Sequence, residues 1–457
     1  MIPPQWHGLW RSLGYNRILE IGDDGYAVYT ATSGHVCLSE RGSAPQFVEA
    51  FDRLEIDAQG RLTLCHAHDL TRYEFERLPG WERNWRVYRA PCEDALPNFT
   101  AFCDAFLENY AFFSLRGADW PALCAAARLR LGPSPSAALL LDVFQDMITP
   151  FGDLHVYVAA PGRKIRSVQV AHGPREALRA AFDLPTLQLS ARSTTEGIAA
   201  RMRATLLKDF ANTLDQFRLA GNEVVCWGTL CPGVGYLSLL RMFGFAANEA
   251  ARHADDLPHR LWEVGPFMAA DMSAFDKILD EAMTDLSKHK ALIVDVRLNA
   301  GGFDRAGMLL CERLIDRPLA VYRKKARWRQ GFNDPQTLTL TPSRGTRFLK
   351  PVFLLTSSFT QSAGEVFALA MSALPTVRIL GEPTQGILSD NLFHLLPSGW
   401  EVSLSNEVYE SLDGRCYEAV GVPPNVGLPA LGARDLVSDL RAGLKVAANL
   451  ASCQITR

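Results

Sequence analysis

Three polar stretches of this chain have residue types and spacings suited to covalent chemistry. The first is Ser362-Ala363-Gly364-Glu365, which follows the strand-like run Pro351 to Thr356 and opens a run of helical composition. A serine at a helix N-terminus lies among backbone N–H groups that have no intrahelical partner, at the positive end of the dipole, where developing negative charge is favoured. The second is the turn Asn299-Ala300-Gly301-Gly302, which ends the apolar run beginning at Ala291. Side-by-side glycines let a backbone approach another group closely. A serine at a helix start and a glycine turn together suggest a nucleophile and an oxyanion hole. The third is Asp153-Leu154-His155. A serine hydroxyl is a poor nucleophile near neutral pH, and neutral imidazole, with an unperturbed pKa of about 6.5, is the base best matched to its proton. His394 is the competing imidazole. Ser362 to Glu365 also fits a purely structural capping box, and the GxSxG elbow is absent.

Their order along the chain adds weight. Asp153-Leu154-His155, Asn299-Ala300-Gly301-Gly302, Ser362-Ala363-Gly364-Glu365, Gly381-Glu382-Pro383-Thr384-Gln385-Gly386 and Tyr417-Glu418-Ala419-Val420-Gly421-Val422-Pro423-Pro424-Asn425 follow one another. From about Phe99 to Val426 this resembles the tail-specific protease family of C-terminal processing proteases, the tricorn core protease and interphotoreceptor retinoid-binding protein. Tyr110, Asp119-Trp120 and Asp153-x-His155 look like the tricorn and retinoid-binding branch.

The resemblance implies a serine peptidase that hydrolyses peptide bonds, with Ser362 as nucleophile, His155 as general base and Glu418 as the carboxylate that orients it. The oxyanion hole would be formed by N–H groups of the Gly301-Gly302 turn and of Ala363. The lysine base of the C-terminal processing branch is replaced by Ile387. The tricorn core has a serine directly before its histidine, where this chain has Leu154, so the orienting network is shorter here. A non-catalytic ligand-binding homologue on the same scaffold is the reading of a different class, and a small-substrate esterase or amidase shares the triad.

The implied fold is α/β, with a crotonase-like (ClpP-like) ββα spiral core preceded by an N-terminal β domain and a small helical bundle. Turn signals between short apolar runs predict an antiparallel β domain over 1–92, a barrel or sandwich. Phe99, Phe102, Cys103, Phe106, Tyr110 and Phe113 recur at helical spacing and predict a bundle over 93–155. A mixed, helical connecting region follows over 156–230, with a helix from Glu196 to Gly221, and then the α/β core over 231–457. Within that core, Val234 to Phe245 reads as a strand, Ser273 as the cap of a helix, and Leu392 to Leu404 as a hairpin.

With 457 residues, 48% hydrophobic and 21% charged, the chain has ample material for several packed cores. A net charge of −3 argues against nucleic acid as a partner. The basic run Tyr322 to Arg329 offers Arg323 and Arg327 as a grip on a substrate carboxylate, though charge runs are more often solvated faces. Asp295 and Arg297, on one face of the central strand, are expected to pair with each other. Cys65-His66-Ala67-His68-Asp69 could converge two metal ligands but lacks a second ligand pair, so no metal and no cofactor is expected. No segment is long and apolar enough to span a bilayer. Ten scattered cysteines and no visible signal peptide suggest a cytoplasmic protein, or a periplasmic one if a leader was removed. The expected partner is a peptide or protein substrate, with the oligomeric state open between monomer and homo-oligomer.

Overall fold

The computed structural model describes residues 2–51, 53–65, 70–167, 204–246, 261–429, 431 and 436–455. The central element is the strand Ala291–Asp295, buried along its whole length. Its β-branched and aliphatic residues alternate between two cores. Leu292 and Val294 join the layer containing helices Leu261–Leu286, Asp304–Glu312 and Ala363–Ser372. Ala291 and Ile293 face the layer with helices 204–213 and Leu436–Ile455. A strand covered on both faces has to be apolar throughout, as this run is.

The seven-stranded sheet runs Asp215–Ala220, Val225–Cys231, Val234–Leu239, Ala291–Asp295, Val352–Thr356, Val377–Gly381, Val426–Gly427. The first three strands are antiparallel, and those from Val234–Leu239 onward are parallel. This corrects the expected domain boundary at 231, which falls inside a hairpin of the sheet. It also corrects the helix expected from Glu196 to Gly221. Residues 204–213 are helical, but Asp215–Ala220 is a strand paired with Val225–Cys231, while 196–203 lie outside the described residues.

Two further boundaries shift for local reasons. The strand expected from Val234 to Phe245 ends at Leu239, and further on the carboxylate of Asp271 accepts the N–H groups of Gly244, Phe245 and Ala246 at 2.7–2.9 Å, holding that end of the run in a turn. Ser273 is not a cap. The helix is already formed at Leu261, its buried face begins with Met268 and Met272, and Ser273 points to solvent in mid-helix.

The N-terminal β region is one eight-stranded sheet, antiparallel except where Arg86–Tyr88 joins His35–Ser43 in parallel. The helices Ala95–Asn109, Phe113–Arg116, Trp120–Arg130 and Ala137–Ile148 form less a separate bundle than the cover of a second sheet. That four-stranded sheet consists of Arg163–Arg166, Tyr157–Ala160, Glu401–Ser405 and Asn391–Leu395. Phe102 and Phe144 stack at 3.8 Å, and Phe99, Phe106, Tyr110 and Trp120 share a core with Trp400 and Val402. The predicted hairpin Leu392 to Leu404 therefore packs with helices some 300 positions earlier, and it brings the segment carrying His155 to the core. The last sheet is built on the basic strand Leu319–Trp328, paired with Gly331–Phe332, Gln336–Leu340 and Glu407–Glu410. Among the described residues, no helix is long and apolar enough to cross a membrane.

Candidate active site

Ser362 lies between strand Val352–Thr356 and helix Ala363–Ser372, at φ 49° and ψ −123°. A non-glycine residue in this region is strained, and such strain persists only where the surroundings over-determine it. Three contacts supply that constraint. Thr360 Oγ1 donates to the Val296 carbonyl at 2.9 Å, the Ser357 hydroxyl donates to the Arg297 carbonyl, and the Gln361 N–H donates to the Asn299 carbonyl at 3.0 Å. The serine loop is thereby laced to the glycine turn.

The turn presses directly on the serine. Gly301, at φ 86°, is placed so that a β-carbon would lie 2.8 Å from Ser362 Cβ and 3.4 Å from the Ala363 nitrogen. Gly302, at φ 138°, is pressed as closely on the Met242 backbone. Asn299 organises the turn, since its Oδ1 accepts the Gly301 N–H at 2.9 Å and its Nδ2 donates to the Leu239 carbonyl. The Gly301 N–H is thus occupied. Among the described residues, the N–H groups of Gly302 and Ala363 have no hydrogen-bond partner.

Beneath Ser362 lies the fully buried carboxyl of Glu365. It accepts from the Thr384 hydroxyl (2.6 Å) and from the N–H groups of Gly386 (2.6 Å), Ile387 (2.8 Å) and Ser362 (3.3 Å). Burial raises its pKa to about 7 against the pull of these donors. Ile387 is buried, with only its backbone turned to this carboxyl. The same loop continues to Glu418, which accepts the Leu388 and Ser389 N–H groups at 2.9 and 3.1 Å. Arg116 Nη2 lies 3.3 Å from the other oxygen of Glu418. Burial, then the carboxyls of Asp153 and Glu365, push Glu418 well above the usual carboxylate range.

His155 stands at the far end of this loop. Part of the residue reaches solvent, yet the protein around the ring is dense enough that desolvation lowers its pKa, opposed by the charge of Asp153 and by the Ser389 backbone. Among the described residues, its Nδ1 is buried without a hydrogen-bond partner. Asp153, fully buried, accepts the His155 N–H at 3.0 Å and the Tyr110 hydroxyl at 3.0 Å. Ser403 donates its hydroxyl to the His155 carbonyl. The loop Thr384 to Ser389 is therefore the common neighbour of Ser362, through Glu365, and of His155 and Glu418, through Ser389.

Other candidates lie elsewhere. His394 is buried against the N-terminal sheet, where desolvation, then the charges of Arg17 and His35, lower its pKa to about 3. Arg323 donates to the Leu412 carbonyl at 2.6 Å and Arg327 stacks over Phe332, so both are engaged within their own sheet. Asp295 and Arg297 form a buried ion pair at 2.6 Å, joined by the Tyr236 hydroxyl. Of the motif at 65–69 only Cys65 is described, and no cluster with metal-ligand composition occurs among the described residues. Sequence reasoning passed over Arg116, which carries no local signal, and read Glu365 only as a cap.

Residues 263–428 match the model of peptidase family S41. This segment belongs to peptidase family S41. This S41 segment, of a serine-type family, contains Gly301, Gly302, Ser362, Ala363 and Glu418, whereas Asp153 and His155 precede it. The tricorn protease of Thermoplasma acidophilum is 28% identical over 100 residues, which are 22% of this chain and 8% of that protein, so only a small part of that relative's length is spanned. A Parabacteroides merdae protein assigned as a peptidase is 20% identical, with a TM-score of 0.58 over 79% of this chain and 97% of its own. Mature CPAF complexed with lactacystin is 15% identical, with a TM-score of 0.50 over 79% and 98%. These likenesses show the shared mixed α/β fold with several sheets.

Proposed function

We propose that this chain is a serine peptidase in which Ser362 is the nucleophile, His155 the general base and Glu418 the orienting carboxylate. The observation that carries the reading is the strained backbone of Ser362 at a helix start, held against Gly301. A structural cap needs no such conformation, whereas a nucleophile presented on a sharp strand-to-helix turn does. The strand-and-helix order of the core supports a crotonase-like spiral.

In this mechanism neutral His155 takes the Ser362 proton as the hydroxyl oxygen attacks the peptide carbonyl. The oxyanion is met by the N–H groups of Ala363 and Gly302, while Gly301, its own N–H held by Asn299, shapes the turn. Preorganised donors of this kind are worth about 10²–10³ each in turnover. The imidazolium then protonates the leaving amine, and water hydrolyses the acyl-enzyme by the same route. Asp153 supplies the charge that favours the imidazolium, and Glu418 acts through the Ser389 peptide it holds beside the ring.

A fluorophosphonate probe tests the assignment. Labelling should vanish in Ser362→Ala, drop sharply in His155→Ala and persist in His394→Gln. Labelling that survives Ser362→Ala would overturn it. A stoichiometric lipid-like ligand in native mass spectrometry, with no peptide hydrolysis, would favour a binding protein instead.

A further inference from the structure

Three carboxyl groups, Asp153, Glu365 and Glu418, are buried together around the Thr384–Ser389 loop. Asp153 and Glu365 are each held by local donors. Among the described residues, Glu418 has two backbone donors and one cation, Arg116, whose Nη2 lies 3.3 Å from Oε1. Arg116 closes the short helix Phe113–Arg116, its side chain is 13% exposed, and its Nη1 donates to the Gly152 carbonyl at 3.4 Å, one residue before Asp153. Among the described residues, its Nε is buried without a partner, and the guanidinium contacts Glu418 and the Gly152 carbonyl.

Resting on the catalytic reading above, we propose that Arg116 is a positioning residue whose guanidinium favours the ionised form of Glu418 against burial and two neighbouring carboxyls, so that Glu418 can hold the Leu388–Ser389 backbone against His155. Three like charges within mutual reach in a poorly solvated site cannot all persist without a counter-charge. Were Glu418 to take a proton, it would accept more weakly from the two N–H groups, and the Ser389 backbone would be free to leave the imidazole. The titratable and charged groups facing Glu418 are Asp153, Glu365, Arg116, Tyr110 and Cys416. Of these only Arg116 is a cation. Leu154 cannot hydrogen-bond through its side chain, so the network reaches His155 from the Arg116 side instead.

Arg116→Met and Arg116→Lys test this with two readouts. The first is the carboxyl ¹³C resonance of Glu418, assigned by its loss in Glu418→Gln, and it needs no catalysis. In Arg116→Met the resonance should titrate at least about one unit higher than in the wild type, while Arg116→Lys should stay close to it. The second is the pH dependence of fluorophosphonate labelling, whose acid limb should move up in Arg116→Met and return in Arg116→Lys. A merely structural role would lower labelling equally at every pH. An unshifted resonance in a folded Arg116→Met would overturn the role of Arg116. A shifted resonance with no labelling of wild-type Ser362 would confirm the charge relationship and defeat the catalytic reading instead.

Discussion

Gly301 and Ser362 touch so closely that a β-carbon on the glycine would sit 2.8 Å from that of the serine. With φ at 86°, position 301 disfavours any side chain twice over, through its dihedral and through the clash. Gly301→Ala should therefore lower stability by about 1–3 kcal/mol and push Ser362 and the Ala363 N–H out of register. Denaturant melts and fluorophosphonate labelling would show it. An alanine variant that labels at the wild-type rate would mean that the turn has no part in aligning the serine.

The strain at Ser362 predicts a trade between stability and activity. Ser362→Gly relieves the positive φ and should be more stable than Ser362→Ala by about 1 kcal/mol, both being inactive. Equal melting midpoints would indicate that the backbone relaxes freely at this site.

The acid limb of activity should lie below the ordinary imidazole range, because burial lowers the pKa of His155. The charge of Asp153 opposes that lowering, so Asp153→Asn should move the limb to still lower pH while reducing the maximal rate, the imidazolium having lost its counter-charge. A pH profile of kcat/KM on a peptide substrate measures both. Movement of the limb toward higher pH would contradict the assignment.

Glu365 predicts a pH-dependent stability with a definite sign. Its folded pKa is raised to about 7 from 4.5, so its contribution is fully present below about pH 4.5 and is lost as pH rises through about 7. The loss is on the order of 3 kcal/mol. Relative to Glu365→Gln, wild-type stability should fall between pH 4.5 and 7.5, as read by denaturant titrations at several pH values. A constant difference between the two proteins would show that the carboxyl stays ionised throughout, held by its four donors.

Much of the core was legible in the amino-acid order. A run apolar at every position, such as Ala291 to Val294, reads as a strand covered on both faces, and the paired glycines after it read as a tight turn. Helical spacing of Phe99, Phe102 and Phe106 marked a buried face for the same reason. Element ends were less legible, because they depend on partners far away in the chain. Asp271 holds Gly244 to Ala246 in a turn through hydrogen bonds that no local pattern announces, and Ser273 imitates a cap in a helix whose buried face starts earlier.

Sequence by itself determined which residue types could attack, abstract a proton and stabilise an oxyanion, and the order in which they occur, because those properties belong to the side chains and their local backbone. Only the tertiary structure decided which N–H of the glycine turn is spoken for, that Asp153 exerts the strongest charge on His155, and that Arg116 faces Glu418 across 302 positions. Those outcomes follow from burial and from the meeting of distant elements. Desolvation and Coulomb forces depend on distance in space, which linear spacing does not encode.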